Sequence, residues 1–140
     1  MAASSADVGY NAQFGIGATP TYVAEVVSIT PPGATRETVD VTHLKSDGGW
    51  REHIGAMKDA GEASITVNYI PAATASEAMF TAFGTDGSQD FTILFPSGTL
   101  KMTFKGIVTA WEPGELVADD KMSLTFSVKA TGAVAIVAVP

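Results

Sequence analysis

Residues 121–130 read KMSLTFSVKA, and apolar and polar side chains alternate along the whole stretch. A period of two predicts a strand with one face on a core and the other face toward water. Similar alternation recurs at 62–70, 90–95 and 99–111, and residues 22–30 form a run dense in β-branched side chains. This pattern predicts a mainly β protein with antiparallel strands.

A single helix and a short strand complete the expected fold. Residues 73–83 carry apolar side chains at helical spacing, with Met79, Phe80 and Phe83 on one face. Residues 37–42 alternate and predict one more strand. Because the strands come in runs with only one helix between them, we expect an antiparallel β-sandwich or barrel with one flanking α-helix.

The chain has the length of one domain, which we assign to residues 1–140. Residues 1–21 are rich in Ala, Ser and Gly and predict an irregular N-terminal arm. Residues 43–61 have neither the strand period nor the helix period, so they predict a long loop between strands. Gly132 separates a last apolar piece, and we expect residues 133–140 to be a distinct C-terminal segment.

The charge pattern bears on the partners of the chain. Fifteen acidic residues oppose eight basic ones, and the formal net charge is −7. The basic residues are dispersed, whereas specific nucleic-acid binding requires clustered Lys and Arg. Charged residues make up only 16% of the chain. This low share fits a surface that other subunits cover, and it fits equally well a neutral domain that stays monomeric.

Motifs for catalysis and metal binding are missing from the sequence. The chain has no cysteine, which excludes thiolate catalysis and disulfides. His43 and His53 are the only histidines, and no further ligands stand at metal-binding spacing around them. His43 with Asp40 would form a base with an orienting acid, but no nucleophile elbow accompanies this pair. We therefore expect no enzyme activity, no metal and no cofactor.

Signals for export or membrane insertion are also missing. Residues 1–9 lack the basic and apolar regions of a secretory signal, and no apolar run approaches the length of a membrane helix. We expect a soluble protein that is made in a cytoplasm and has no membrane partner.

The long loop and the N-terminal arm contain the side chains expected at contacts with other proteins. A loop of this length inside a compact domain is often functional. A lone aromatic residue in a loop, such as Trp50, is typical of an anchor in a core or an interface, and we expect an interface here. In the arm, Tyr10 and Phe14 indicate docking on a partner. The contact residues predicted in the loop are His43, Lys45, Asp47, Trp50, Arg51, Glu52, His53, Lys58 and Asp59.

The order of these features resembles the major tail tube proteins of long-tailed, siphovirus-type bacteriophages. VAEVVSI at 23–29 is followed by TVDVT at 38–42, by the long loop and by DAGEASITVNY at 59–69. The short helix and the strands containing TILF at 92–95 and LTFSV at 124–128 come next in the same order. The resemblance covers roughly residues 22–130.

The resemblance implies a structural role in a virion tail that is assembled in the host cytoplasm. Members of that family form hexameric rings, the rings stack into a tube, and DNA passes through the lumen during ejection. Implied partners are other copies of the chain, a tape measure protein, and tail tip and terminator proteins. The loop after the second strand is expected to bridge to the adjacent ring.

We expect the polar faces of two strands to line a negatively charged lumen. Asp40 and Glu62 lie on the non-core faces predicted for their strands, and a net negative surface repels phosphates. Strand alternation adds the remaining lumen residues, which are Thr38, Thr42, Ser64, Thr66 and Asn68.

Two alternatives remain open on the sequence alone. The first is a related tail component, such as a tail terminator or the tube of a gene-transfer agent or a contractile system. The second is a monomeric carbohydrate-binding β-sandwich, in which Trp50 or Trp111 stacks on a sugar.

Overall fold

A computed structural model describes residues 4, 8–23, 25–70, 74–96 and 98–139. It consists mainly of antiparallel strands, with one α-helix and a 3-10 turn at Asp47–Gly49. The first five strands are β1 (Gln13–Ile16), β2 (Thr21–Tyr22), β3 (Val26–Thr30), β4 (Ala34–Asp40) and β5 (His53–Ala60). The remaining elements are β6 (Glu62–Asn68), α1 (Thr74–Phe83), β7 (Gln89–Leu94), β8 (Leu100–Pro113) and β9 (Ser123–Ala138). This arrangement confirms the predicted fold class.

Seven of the strands form one antiparallel sheet in the order β2-β1-β7-β8-β9-β6-β3, which we call the main sheet. The predicted alternation is present in it, because Leu124, Phe126 and Val128 of β9 are buried and the residues between them are only half-buried. Their partners on β6 share this face, since Ile65 lies opposite Phe126. Strands β4 and β5 form a separate two-stranded sheet.

Aromatic contacts show that the main sheet curls around its core. Phe14 on β1 lies 5.8 Å from Phe91 on β7 and 6.2 Å from Phe126 on β9, measured between ring centroids. Because β7 and β8 separate β1 from β9 in the sheet, the second contact requires strong curvature. The core therefore lies inside the curve, as in a partly open barrel.

The helix α1 covers the core with a narrower face than its sequence predicts. Met79 and Ala82 are buried, whereas Phe80 and Phe83 are exposed, so the predicted position of these two rings on the core face is wrong. The ring of Phe80 packs instead on Trp111 of β8, with centroids 4.8 Å apart. The helix lies against β8, and the side chains of Met79 and Ala82, about one turn apart, reach the core.

The predicted strand at 22–30 is two strands at opposite edges of the main sheet. Strand β2 pairs with β1, and β3 pairs with β6. Glu25 between them has a φ of 54°, a left-handed conformation that interrupts a strand. The β-branched composition correctly predicts strands in this stretch. It does not indicate that the chain passes from one edge of the main sheet to the other between β2 and β3. Ala24 lies outside the described residues.

Part of the predicted N-terminal arm belongs to the main sheet. Strand β1 pairs with β7 over four residues, and Phe14 is completely buried. The prediction of an irregular arm over 1–21 is therefore wrong for Gln13–Ile16. Gly15 permits this packing, because a Cβ at this position would meet Pro20 Cβ at 2.7 Å and the ring of Tyr22 at 3.1 Å.

Residues 133–138 of the predicted C-terminal segment form the end of β9, and Pro140 lies outside the described residues. The strand continues through Gly132, which has a φ of 78°, and Ala135 pairs with Thr103 of β8. The register shifts between Thr103 and Lys105, so extra residues of β9 form a bulge around the glycine. Gly132 therefore lies at a β-bulge within one strand, and the predicted segment boundary at residue 133 is wrong.

The predicted loop at 43–61 is a loop only in its first part, because His53–Ala60 is β5. Strand β5 pairs with β4, which begins at Ala34, before the predicted strand, and ends at Asp40. The sequence missed β5 because both faces of this strand are exposed, so its side chains do not follow the alternation of a half-buried strand.

Candidate assembly surfaces

Residues 34–60 form a hairpin that projects from the domain, and we call it the β4–β5 hairpin. Every residue from 34 to 59 is exposed except Ser46 and Ala56, which are half-buried. Strand β4 therefore has no core face, and the alternation at 37–42 does not separate buried from exposed side chains. Because both faces of the hairpin are exposed, they are available for a partner. An isolated two-stranded hairpin is only marginally stable in water, so contact with a partner would stabilise it.

Hydrogen bonds order the tip of the hairpin. The amide of Thr42 donates to Asp40 Oδ1 at 2.8 Å, and the amide of Glu52 donates to Thr42 Oγ1 at 2.8 Å. Arg51 Nη1 lies 3.2 Å from Asp40 Oδ2. The hydroxyl and the amide of Thr42 are the main causes that hold the pKa of Asp40 below its ordinary value, with smaller effects from His53 and Arg51.

His43 and Asp40 do not form the catalytic pair considered from the sequence. His43 Nε2 lies 3.3 Å from Glu52 Oε2, and His43 Nδ1 accepts the amide of Lys45 at 3.1 Å. Because Asp40 is engaged by Arg51 and Thr42, it does not orient His43 as a general base.

The hairpin also exposes large apolar side chains. Val39 and Ile54 lie directly opposite each other on the two strands and are 48% and 55% exposed. Trp50 in the tip, a predicted contact residue, is 78% exposed. Leu44 and Met57 are more than four-fifths exposed. Such a concentration of exposed apolar side chains is typical of an interaction surface.

Two cations face each other near the base of the hairpin. Arg36 and Lys58 are cross-strand partners and share one face. Arg36 Nε donates to the carbonyl of Ala56 at 3.3 Å. Neither cation forms an ion pair with any residue in the described part of the chain. Like charges in directly opposite positions destabilise a strand pair.

The residues predicted to line a lumen fall into two separate sheets. Glu62, Ser64, Thr66 and Asn68 lie on the outer face of β6, whereas Thr38, Asp40 and Thr42 belong to the hairpin. The outer face around β6 is rich in hydroxyl groups. The neighbours that share it are Ser28 and Thr30 on β3 and Thr125, Ser127 and Lys129 on β9.

The two aromatic residues predicted in the arm have different environments. Tyr10 is 77% exposed and remains available for a partner. Phe14 is buried in the core of its own domain, so its predicted role in a subunit contact is wrong. Its apolar neighbours in β1 are also buried, and the sequence signal for this was too short to recognise.

The turn between β8 and β9 is acidic and exposed, and its position relative to the hairpin follows only from the structure. We call residues 112–120 the acidic turn; its carboxylates and its apolar side chains Leu116 and Val117 are exposed. The acids are Glu112, Glu115, Asp119 and Asp120, and none of them pairs with a described cation. The sequence did not identify this turn as a site.

The hairpin and the acidic turn lie at opposite ends of the same strands. Strand β6 begins beside Ala60, the last residue of the hairpin, and Lys129 Nζ donates to the carbonyl of Ala60 at 2.7 Å. At the other end, Asn68 pairs with Ser123, whose carbonyl accepts the amide of Gly114 in the acidic turn. The seven residues of β6 span about 20 Å between these ends.

The second tryptophan is not a free stacking platform. The ring of Trp111 contacts Phe80 at 4.8 Å and Tyr69 at 6.0 Å, both in edge arrangements. It is half-buried and packs against the core. Trp111 therefore anchors α1 on β8, which weakens the sugar-binding alternative for this residue.

The described ranges give no indication of a metal site or of a membrane-spanning helix. No group of three or more His, Asp or Glu side chains in them is arranged to hold a metal ion. No helix there has the length and hydropathy that crossing a membrane demands.

Solved structures with a similar fold come from tails and injection machines. A chain of the native gene transfer agent virion aligns with a TM-score of 0.76 and 21% identity, covering 94% of this chain and 99% of that chain. A chain of the tube-terminating cap of the anti-feeding prophage aligns with a TM-score of 0.74 and 11% identity, covering 99% of this chain and 95% of that chain. A chain of the SPP1 tail tube aligns with a TM-score of 0.68 and 8% identity, covering 94% of this chain and 79% of that chain. At such low identities these likenesses establish the fold.

Comparison at the level of sequence gives the family. A search of curated proteins finds no match. The family model described as lambda phage tail tube protein matches residues 14–137, nearly the whole chain. The matched region contains the curled main sheet, the hairpin and the acidic turn. This chain therefore belongs to the lambda phage tail tube protein family.

Proposed function

We propose that this chain is the repeating subunit of a siphovirus-type tail tube, in which hexameric rings stack and enclose a lumen. The family match and the fold give it a structural role in a tail tube. The observation that carries the finer proposal is the β4–β5 hairpin, which exposes both faces on a domain whose main sheet is well packed. A segment built this way gains stability when it is covered by other subunits.

Lateral contacts within a ring use the edges of the main sheet. Strands β2 and β3 are the two edge strands, so each leaves backbone donors and acceptors unpaired on one side. Pairing the β3 edge of one subunit with an edge of its neighbour satisfies these groups. Repeated around a ring, the pairing closes and removes exposed edges. The exposed Tyr10 near β1 supports a further contact within or between rings.

Contacts between rings use the hairpin. Its predicted contact residues, from His43 to Asp59, surround the exposed Trp50 and the exposed pair of Val39 and Ile54. Ordered ion pairs at the tip, between Arg51 and Asp40, limit the conformational entropy lost on docking. The hairpin is thus a preformed apolar surface with a polar rim.

The lumen is lined by the outer face of β6 and its neighbours. This face has hydroxyl side chains and, among the described residues of β3, β6 and the first half of β9, one acid and one base, Glu62 and Lys129. DNA passes such a surface without clustered cations that would hold its phosphates. The net charge of −7 per subunit adds long-range repulsion. From the hairpin, Thr38, Asp40 and Thr42 add polar groups at the rim of the lumen.

The finer partners follow from this role. The lumen holds a tape measure protein before DNA passes, and tail tip and terminator proteins bind the two ends of the tube. The subunit acts in the virion tail after assembly in the host cytoplasm, and it performs no catalysis.

The test is assembly of the purified chain, followed by negative-stain microscopy and light scattering. We expect tubes or stacked six-fold rings, formed spontaneously or on a tail-tip initiator. Single rings that never stack would instead indicate a terminator. A strictly monomeric protein in the presence of the initiator would overturn the proposal, and stabilisation by an oligosaccharide would then favour the carbohydrate-binding alternative.

A further inference from the structure

We infer that the β4–β5 hairpin of one copy docks on the acidic turn of a second copy, with Arg36 and Lys58 facing the carboxylates at 112–120. This inference rests on the proposed tube function and names the surface that receives the hairpin. The contact joins two different surfaces, so it is heterologous and repeats head to tail.

The first argument is the position of the two surfaces. The hairpin leaves the domain at the Glu62 end of β6, and the acidic turn lies at the Asn68 end. They are about 20 Å apart along the strand, so they do not meet within one chain. When copies stack with their strands in the same direction, each hairpin end meets the acidic end of the next copy.

The second argument is charge. Arg36 and Lys58 oppose each other across the hairpin without an anionic partner among the described residues. The four carboxylates of the acidic turn are exposed and form no ion pair with a cation in the same part of the chain, although Asp120 Oδ1 accepts the amide of Lys121 at 2.8 Å. Bringing the two groups together relieves both repulsions. Complementary charge also sets the direction of stacking, because the Arg36 and Lys58 side chains of one copy repel the same pair of another copy, and two acidic turns repel each other.

The third argument is apolar area. The hairpin exposes Val39, Ile54 and Trp50, and the acidic end of the domain exposes Leu116 and Val117. Ile70 and Met122, at the same end, are also about 40% exposed. Each surface therefore has an apolar part and a charged part, which is the composition of a specific interface.

The test uses two charge-reversed proteins. The first has Arg36→Glu and Lys58→Glu, and the second has Glu115→Lys, Asp119→Lys and Asp120→Lys. Each should stack only at a concentration at least about tenfold above that of the wild type, because like charges then meet at the contact. A mixture of the two should stack at nearly the wild-type concentration, with their rings alternating. One chain with all five changes should do the same.

A matched control separates the specific contact from net charge. Lys101→Glu with Lys105→Glu makes the same change in net charge as the hairpin variant but lies on the main sheet. We expect it to stack like the wild type. Circular dichroism and chemical denaturation should show that every variant folds, since all substituted side chains except Lys101 are exposed and Lys101 is half-buried.

The outcomes distinguish the inference from the proposed function. If the wild type stacks and the reversed proteins stack equally well, or if the mixture fails to restore stacking, the docking inference is wrong and the tube function stands. Equal impairment by the control also overturns the inference, because net charge then explains the effect. If the wild type does not stack even on an initiator, the proposed function itself fails.

Discussion

The main sheet and the β4–β5 hairpin are built from the same kind of strand, yet their environments are opposite. In the main sheet, Phe126, Phe91 and Phe14 are completely or almost completely buried and contact one another. In the hairpin, Val39 and Ile54 face each other across the strands and are about half exposed. Apolar side chains in the sheet stabilise the monomer, whereas those in the hairpin are available to stabilise the assembly. The sharpest tests of this comparison make equivalent changes in both regions.

The largest difference is expected from truncating apolar side chains. Phe126→Ala leaves a cavity among Phe14, Phe91 and Ile65, so the free energy of unfolding should fall by about 3–5 kcal/mol. Ile54→Ala removes an exposed side chain and should change it by less than about 0.5 kcal/mol. Urea denaturation of the monomer measures both. A similar loss in the two variants would show that the hairpin packs on the domain.

Removing the hairpin should separate folding from assembly. Ala34 and Ala60 are cross-strand partners, so a two-residue Asn-Gly turn can replace residues 35–59. We expect a folded monomer with nearly unchanged thermal stability and a complete loss of ring stacking, measured by calorimetry and negative-stain microscopy. Stacked tubes formed by this variant would contradict the role of the hairpin, and an unfolded chain would contradict its independence from the core.

Replacing one glycine in each region by alanine compares the main sheet and the hairpin through the addition of a single methyl group. A Cβ at Gly106 in the main sheet would lie 2.9 Å from the carbonyl of Lys129 and also against Val128, so Gly106→Ala should cost about 1–3 kcal/mol. A Cβ at Gly55 in the hairpin meets only the flexible end of Arg36, which can move away. Gly55→Ala should therefore change monomer stability by less than about 0.5 kcal/mol in urea denaturation. Equal costs would mean that the Arg36 side chain is held in place.

The smallest effect is a local one, at the tip of the hairpin. Because the folded pKa of Asp40 lies below the ordinary value of 3.8, its ionised form stabilises the tip above that pH, and the contribution is lost as pH falls through the folded pKa. The Thr42 amide resonance should shift at a pH below 3.8 while amides of β9 do not move. Asp40→Asn should abolish this shift. A Thr42 transition at or above 3.8 would contradict the hydrogen-bonded geometry.

Prediction from the sequence succeeded where one face of a strand is buried. Strands β6 and β9 were recognised because buried apolar side chains, such as Ile65 and Phe126, stand at every second position among polar side chains. It failed for β5, whose faces are both exposed, and for β1, which is only four residues long. At the candidate site it predicted contact roles for Trp50 and the charged residues of the hairpin tip, and the structure shows that these side chains are exposed. It did not recognise that Phe14 belongs to the core.

The sequence by itself determined the fold class, the single helix and the family, because alternation and the order of strands are local properties of the chain. Only the tertiary structure decided that 22–30 crosses from one edge of the sheet to the other, because the pairing partners of β2 and β3 are distant in sequence. It alone also placed the hairpin and the acidic turn at opposite ends of β6. Which surfaces a repeating subunit presents to its neighbours depends on how distant segments come together, and no local pattern contains that information.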